Sequence, residues 1–183
     1  MLRPHFPAHP RARSEFSTVP EFTRVGERSG AHHRGMTDID IDIRDRVVDR
    51  DDDLRDVLEL LLDAAIRRQM WLLFIDERGC LTGPLMPMDD LRPDPDELVT
   101  TDDLGTVPLA EVLVTRMRML LELTGSARTV LVWERRGSRR VLARDAAWAR
   151  AMAEQAVAQG VPLRAQFLLH NKGLRQLHPD DWV

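Results

Sequence analysis

The fold is decided by the stretch Met70-Trp71-Leu72-Leu73-Phe74-Ile75, which is followed by the polar turn Asp76-Glu77-Arg78-Gly79. Six consecutive apolar residues bounded by a turn are typical of a strand that is buried on both faces. A second short run follows from Cys80 to Met86, so the two runs together indicate a β-hairpin. A strand of this kind predicts a sheet that is covered by helices.

Three segments have the spacing of those helices. Apolar residues recur every three or four positions from Asp51 to Gln69, with acidic residues at the start and basic residues at the end, where each favours the helix dipole. The same spacing predicts a second helix from Leu109 to Thr124, ended by Gly125, and a third from Asp145 to Gly160.

The remaining apolar runs complete the sheet. Thr129 to Trp133 is a third strand, parallel to the first if a helix crosses over between them. Leu163 to Leu169 and Leu174 to Leu177 flank the turn Asn171-Lys172-Gly173, which favours a second hairpin. The order helix, hairpin, helix, strand, helix, hairpin predicts one α/β domain with a mixed central sheet flanked by about three helices. Pro87 to Pro108 is rich in Pro and Asp and predicts a long loop, either a lid or a partner-binding segment.

The first part of the chain differs from the rest in composition. Residues 1–44 are predicted to be a disordered N-terminal segment, since Pro and Arg abound there without a helical apolar stripe, and the α/β domain then covers residues 45–183. The sequence at Met36 resembles a natural protein start, which would make residues 1–35 an over-extended gene assignment. The alternative is that these residues form a basic tail that contacts an acidic partner. Residues 37–43 alternate Asp and Ile, which favours a solvated or edge strand over a calcium loop, because the Gly and Glu of that loop are missing.

Composition limits the classes of function. The single Cys80 favours a reducing compartment, with the cytoplasm as the default, and no apolar run is long enough for a signal peptide or a membrane span. The formal net charge is −4, and residues 1–35 carry six Arg and three Glu, which leaves −7 for the rest. An acidic body disfavours nucleic acid as the partner, because phosphate backbones are bound by Lys and Arg.

The order of elements over residues 52–178 resembles the JAB/MPN fold, specifically its RadC-like branch. The resemblance rests on the entry strand with its Asp76-Glu77-Arg78-Gly79 turn, on the helix before Thr129-Val130-Leu131-Val132, and on Ala151 to Leu177 with its Gly160-Val161-Pro162-Leu163 passage. Active members of that family bind zinc through a His-x-His at the end of the third strand, followed by a Ser-x-x-Asp.

That zinc motif is absent from this sequence. The matching segment is Trp133-Glu134-Arg135, followed by Ala143 in place of the serine and by Asp145 one residue out of register. Zinc needs about three ligands with N, S or O donors, and one carboxylate does not supply them. The resemblance therefore implies a catalytically inactive relative that serves as a binding or assembly module.

Basic residues between Arg135 and Arg144 form the most concentrated cationic feature of the domain. Beside an aromatic residue such a turn could pair with a nucleotide or phosphate, whereas the alternative is a solvated turn in an Arg-rich sequence. His170 and His178 are interpreted as exposed turn residues. Strand ends converge in folds of this type, so the candidate ligand-binding residues are Asp76, Trp133, Arg135, Arg139 and Asp145.

No complete catalytic, metal-binding or cofactor-binding motif is present, so no catalytic residue, metal or cofactor is assigned. The first hypothesis is a non-catalytic binding or protein-interaction module, with a protein partner or a second copy of itself. The alternative is a metal-independent enzyme or a nucleotide- or phosphate-binding protein with a divergent site at the strand ends. A concave pocket with convergent polar groups would favour the alternative.

Overall fold

The computed structural model of the chain describes Ile43 and residues 45–182. Within this part the elements are, in chain order, α1 (Asp51–Leu61), β1 (Gln69–Ile75), β2 (Leu81–Asp89), β3 (Leu98–Thr101), β4 (Gly105–Pro108), α2 (Leu109–Thr124), β5 (Arg128–Glu134), α3 (Ala143–Ala158), β6 (Leu163–His170) and β7 (Gly173–Leu177). A short 3-10 helix, Pro179–Asp181, follows. The predicted α/β class and the order of elements are confirmed.

Five strands form the central sheet, in the order β2-β1-β5-β6-β7. β1 pairs antiparallel with both neighbours, and β5 pairs parallel with β6. The expectation that β5 is parallel to β1 is wrong. The chain from β2 to β5 passes through β3, β4 and α2. The strands β2 and β5 lie on opposite sides of β1, each antiparallel to it.

The side chains of β1 alternate between two cores. Met70, Leu72 and Phe74 pack in one core with residues of α2 and α3, whereas Leu73 and Ile75 pack in the other with residues of α1. The strand is therefore buried on both faces, as the apolar run predicts, and the domain has three layers. Burial of these side chains is the main favourable term in folding.

The first helix ends earlier than predicted, at Leu61 and not at Gln69. The chain between Leu62 and Arg68 is irregular, and the backbone N–H groups of Ile66 and Arg67 donate to the carboxylate of Glu134. This contact with a distant strand satisfies the N–H groups that a longer helix would use internally.

The segment between Pro87 and Pro108 is not one long loop, as was predicted. β2 continues to Asp89, and β3 and β4 form a separate two-stranded ribbon. The hydroxyls of Thr100 and Thr106 are 2.9 Å apart across this ribbon, a cross-strand hydrogen bond that supports the pairing.

The predicted disorder of residues 1–44 and the predicted strand over residues 37–43 lie outside the described residues, apart from Ile43. That residue is helical and buried with the core residues of α1, so the predicted strand does not extend to it. Within residues 45–182, no helix combines the length and the apolar character that crossing a membrane requires.

Candidate functional site

A groove of about 920 Å³ lies at the carboxyl ends of the parallel strands β5 and β6. Its walls are the turn after β5, the turn between β6 and β7, the strand β7 and one residue of α1. The lining side chains that carry or can carry positive charge are Arg55, Arg139, Lys172, Arg175, His170 and His178, and no Asp or Glu is among the described residues that line it. We call this feature the cationic groove.

Two of the groove's cations are partly offset by nearby carboxylates. Arg175 pairs with Asp181, and Arg55 lies 3.4 Å from Asp52. Arg139 and Lys172 have no ion-pair partner within residues 45–182 and are exposed. The groove therefore keeps an excess of positive charge, and these two exposed side chains hold most of it.

One carboxylate, that of Glu59 in α1, lies close to the turn between β6 and β7. A Cβ atom added to Gly173 in this turn would be 3.5 Å from Glu59 Oε1. At this distance from the turn, the negative charge of Glu59 opposes anion binding in the groove.

The two turns of the groove are bound to each other. The side-chain oxygen of Asn171 accepts a 2.9 Å hydrogen bond from the N–H of Gly137, and the N–H of Asn171 donates to the carbonyl of Gly137 at 3.2 Å. Because β5 and β6 are parallel neighbours, both turns leave the same edge of the sheet. Their relative position is fixed before any ligand arrives.

His170 lies at the end of β6 and is only 6% exposed, so the expectation of an exposed turn histidine is wrong for it. Its Nδ1 accepts a 3.2 Å hydrogen bond from the N–H of Lys172. Burial lowers the pKa of His170, and the nearby charges of Arg135, Arg139, Arg175 and Lys172 lower it further. The ring is therefore neutral near pH 7, with its hydrogen on Nε2.

Arg135 is buried and forms the base of the turn after β5. Its Nε donates to Asp145 at 2.7 Å, and its remaining nitrogens donate to the carbonyls of Arg136, Ser138 and Arg140. A guanidinium that is bound to three carbonyls of one turn fixes the conformation of that turn. Arg135 thus shapes the wall of the cationic groove from within.

Trp133 and Asp145 line the same small buried cavity as Arg135. Trp133 donates through Nε1 to Gln166 at 2.9 Å, and its ring packs against Trp148 with the centroids 5.7 Å apart. The cavity that Trp133, Arg135 and Asp145 share holds only about 20 Å³, room for about one water molecule. This cavity is too small for a nucleotide.

Glu134, which was not among the predicted site residues, is a buried carboxylate with a structural role. It accepts hydrogen bonds from the N–H groups of Ile66 and Arg67, from the side-chain amide of Gln69 and from Trp71 Nε1. Burial raises the pKa of Glu134, but these four donors outweigh it and hold the pKa below its usual value. The carboxylate binds the segment before β1 to the end of β5.

Asp76 lies at the opposite end of the sheet from the other candidates. In the register of β1 and β5, Ile75 pairs with Arg128 while Gln69 pairs with Glu134. Asp76 accepts hydrogen bonds from the N–H groups of Cys80 and Arg78, which keep its pKa below the usual value. The five predicted site residues therefore do not converge on one ligand site.

Of those five, Arg139 is the one that lines the cationic groove. Three further lining residues were not predicted as site residues: His170, Lys172 and Arg175. The turn that carries Lys172 directly follows β6, which is parallel to β5. The parallel pairing brings this turn and the basic turn after β5 to the same end of the sheet. The interpretation of the basic turn as solvated is right for Arg139 and wrong for Arg135.

The residues that the sequence resemblance compares with the JAB/MPN zinc motif do not fit a metal. Arg135 and Trp133 offer no lone pair for coordination, and Asp145 is bound to Arg135 and lies 3.5 Å from Arg68. Across the described residues there is no group of three or more His, Cys, Asp or Glu side chains that could hold a metal ion.

No family model matches the chain, and no curated protein is significantly similar to it in sequence.

Proposed function

We propose that the protein is a non-catalytic binding module whose cationic groove takes a small ligand bearing a tetrahedral oxyanion, phosphate above all. The observation that carries this proposal is the groove at the ends of β5 and β6, with four cationic side chains and His170 in its lining and no Asp or Glu among the described lining residues. A concave site with convergent polar donors is the usual form of a small-molecule site.

The donors in the groove suit an oxyanion. Arg139 and Lys172 offer charged N–H donors, which make stronger hydrogen bonds to oxyanions than neutral groups do. Neutral His170 adds one uncharged N–H, on Nε2. The acidic body of the domain favours a small ligand over a nucleic acid, whose backbone needs a wide basic surface.

The buried carboxylates near the groove, Glu134 and Asp145, are already hydrogen-bonded within the fold, which supports binding without catalysis. Glu134 is held by four donors and Asp145 by Arg135, so both are committed to the fold. General acid-base chemistry needs a titrating group that is free to exchange a proton with a ligand. The histidines of the groove have no carboxylate among its described lining residues to orient them.

The experiment is a calorimetric titration of the full chain with inorganic phosphate at low ionic strength. Each charged hydrogen bond is worth about 1.5 to 3 kcal/mol, and about 1.4 kcal/mol changes affinity tenfold. We therefore expect Arg139→Gln with Lys172→Gln to weaken binding by at least about tenfold. Arg150→Gln, an exposed change on α3 outside the groove, should leave the affinity within about twofold. Equal binding by all three proteins would refute the proposal.

A variant with the opposite sign makes the test sharper. Glu59→Gln removes the carboxylate behind the turn that carries Lys172, so phosphate affinity should rise by about two- to threefold. A general loss of folding weakens binding and does not strengthen it. An unchanged or lower affinity in Glu59→Gln would contradict the charge argument.

The relation to the JAB/MPN family is also a proposal. It is supported by the order of elements and by Asp145, which contacts Arg135 where that family places zinc ligands. An ion pair in place of a metal agrees with an inactive relative. A cytoplasmic location, proposed with it, is supported by the one cysteine, which is buried and unpaired.

A further inference from the structure

The small cavity beside Trp133 lies where the start of β1, the end of β5 and the first turns of α3 meet. Its volume is about 20 Å³, whereas one water molecule needs about 10 to 15 Å³ of such space. The cavity therefore admits one guest that is water-sized or slightly larger, and it is too small for phosphate or sulfate. We call it the arginine cavity, since its charged lining residues are Arg68, Glu134, Arg135, Arg144 and Asp145.

The charges that line the arginine cavity do not balance. Three guanidinium groups stand against two carboxylates, so the lining carries one positive charge in excess. The carboxylate of Glu134 is kept ionised by its four donors, which hold its pKa below the usual value. The carboxylate of Asp145 is 2.7 Å from Arg135 and 3.5 Å from Arg68. The excess charge therefore lies with Arg68 and Arg144.

Arg144 has a buried donor that the fold does not use. One terminal nitrogen of its guanidinium donates to the carbonyl of Leu91. Its Nε is buried and has no hydrogen-bond partner within residues 45–182, and no carboxylate in that range forms an ion pair with Arg144. A buried donor without a partner is costly, and a charge without a partner is more so. This donor calls for an acceptor in the cavity that Arg144 lines.

The surroundings of Arg144 disfavour its positive charge. Burial lowers the pKa of its guanidinium below the ordinary value, and the charge of Arg68 lowers it further, whereas Asp145 acts in the opposite direction. An anion close to two like positive charges offsets both the burial and their repulsion. A water molecule accepts a hydrogen bond from Arg144 Nε but leaves the excess charge unbalanced. An anion supplies the acceptor and the charge together.

We propose that the arginine cavity binds one chloride ion, which accepts the hydrogen bond of Arg144 Nε and balances the excess positive charge. The volume of the cavity selects a monatomic anion, and the single excess charge selects a monovalent one. The ion connects the first turn of α3 to Arg68, directly before β1. This site is separate from the cationic groove, because no described residue lines both.

The test is thermal unfolding of the full chain at constant ionic strength, with sodium gluconate replaced stepwise by sodium chloride. Gluconate is also monovalent but is too large for the cavity. A ligand that binds only the folded protein raises the melting temperature with its concentration. We expect a saturable rise of about 3 to 6 °C when chloride reaches about ten times its dissociation constant. Equal melting temperatures at every chloride fraction would overturn the proposal, with water then the guest.

Variants locate the effect in the arginine cavity. Arg144→Met removes Nε and the charge but keeps an unbranched side chain, so the chloride dependence should disappear. Arg150→Gln, an exposed change on the same helix, should keep the dependence in full. Arg139→Gln with Lys172→Gln should keep it too, because both residues line the cationic groove. A chloride dependence that survives in Arg144→Met would refute this site.

Two further measurements decide the question if Arg144→Met does not fold. Arg68→Gln removes the excess charge at an exposed position and should weaken chloride binding by about tenfold. In crystals of the unmodified protein grown from sodium bromide, the anomalous signal of bromide locates the ion directly. We expect a peak beside Arg144 Nε. Bromide found only on the protein surface, or unchanged chloride affinity in Arg68→Gln, would contradict the proposal.

Discussion

Arg135 and Asp145 form a buried ion pair, with Arg135 Nε 2.7 Å from Asp145 Oδ2, across the turn that connects β5 to α3. Asp145 also accepts a 3.0 Å hydrogen bond from the N–H of Leu142 at the start of the helix. The pair therefore binds the end of a strand to the start of a helix, and it fixes the turn that carries Arg139.

Removing one partner of this pair should destabilise the fold strongly. Asp145→Ala leaves the Arg135 charge buried without its partner, and we expect a loss of about 3 to 5 kcal/mol in the free energy of unfolding. Urea denaturation followed by circular dichroism measures it. Asp180→Ala, at an exposed position, is the control and should cost less than about 0.5 kcal/mol.

The double variant Arg135→Met with Asp145→Leu removes both charges together. It also removes the hydrogen bonds that Arg135 donates to the carbonyls of Arg136, Ser138 and Arg140, so it should cost at least about as much as Asp145→Ala alone. A loss below about 1 kcal/mol in Asp145→Ala would show that the pair is solvated and not buried as described.

Most of the helices and strands were predicted from local sequence pattern, because buried side chains give each element a characteristic run or spacing of apolar residues. The apolar run of β1 identified a doubly buried strand, and Gly125 ends α2 with a φ of 64°, in the left-handed conformation. The end of α1 was missed because the cause is Glu134, which lies 68 residues from Ile66 in the sequence. Periodicity within a window cannot report such a contact.

Glu134→Gln tests that distant contact. The amide keeps the size of the side chain but presents an N–H group to a set of donors, so we expect a loss of about 2 to 3 kcal/mol. Hydrogen exchange should accelerate at the amides of Ile66 and Arg67, which donate to Glu134. Exchange at Val130 and Leu131 should speed up only by the global loss of stability, and equal protection at Ile66 in both proteins would contradict the contact.

The groove could be predicted only in part. The basic turn after β5 was visible as a cluster of Arg, but composition alone did not distinguish buried Arg135 from exposed Arg139. The neighbouring turn with Lys172 became part of the site only through the parallel pairing of β5 and β6. Asp76 was misplaced because the antiparallel register of β1 sends it to the other edge.

His170 should couple anion binding to pH. Its pKa in the free protein lies below the ordinary value of 6.5, and an anion in the groove offsets the surrounding cations and raises that pKa. Binding then takes up a proton, so affinity should increase as the pH falls through this range. Sulfate is the probe because it keeps both charges, and we expect it to bind about fivefold tighter at about pH 5.5 than at about pH 8.

The controls for this effect are single histidine variants. His170→Gln should remove most of the pH dependence, whereas His178→Gln, at an exposed position, should keep it. Calorimetry in two buffers of different ionisation enthalpy counts the protons taken up. Proton release on binding, or a slope that His170→Gln leaves intact, would count against His170 as the coupled group.

The same shift affects stability. A histidine whose folded pKa is depressed binds its proton more readily in the unfolded chain, so stability falls as the pH decreases below about 6.5 and levels off below the folded pKa. His170→Gln should flatten this part of the stability curve in urea denaturation. A stability that rises on acidification over this window would contradict the depressed pKa.

A phosphate titration of the full chain, followed by backbone amide NMR, shows whether the cationic groove binds an oxyanion. We expect saturable shifts at Ser138, Arg139 and Lys172, with small shifts at Glu77 and Arg78 in the turn at the far end of the sheet. Shifts that never saturate, or that are equally large in both regions, would contradict the cationic groove as an oxyanion site.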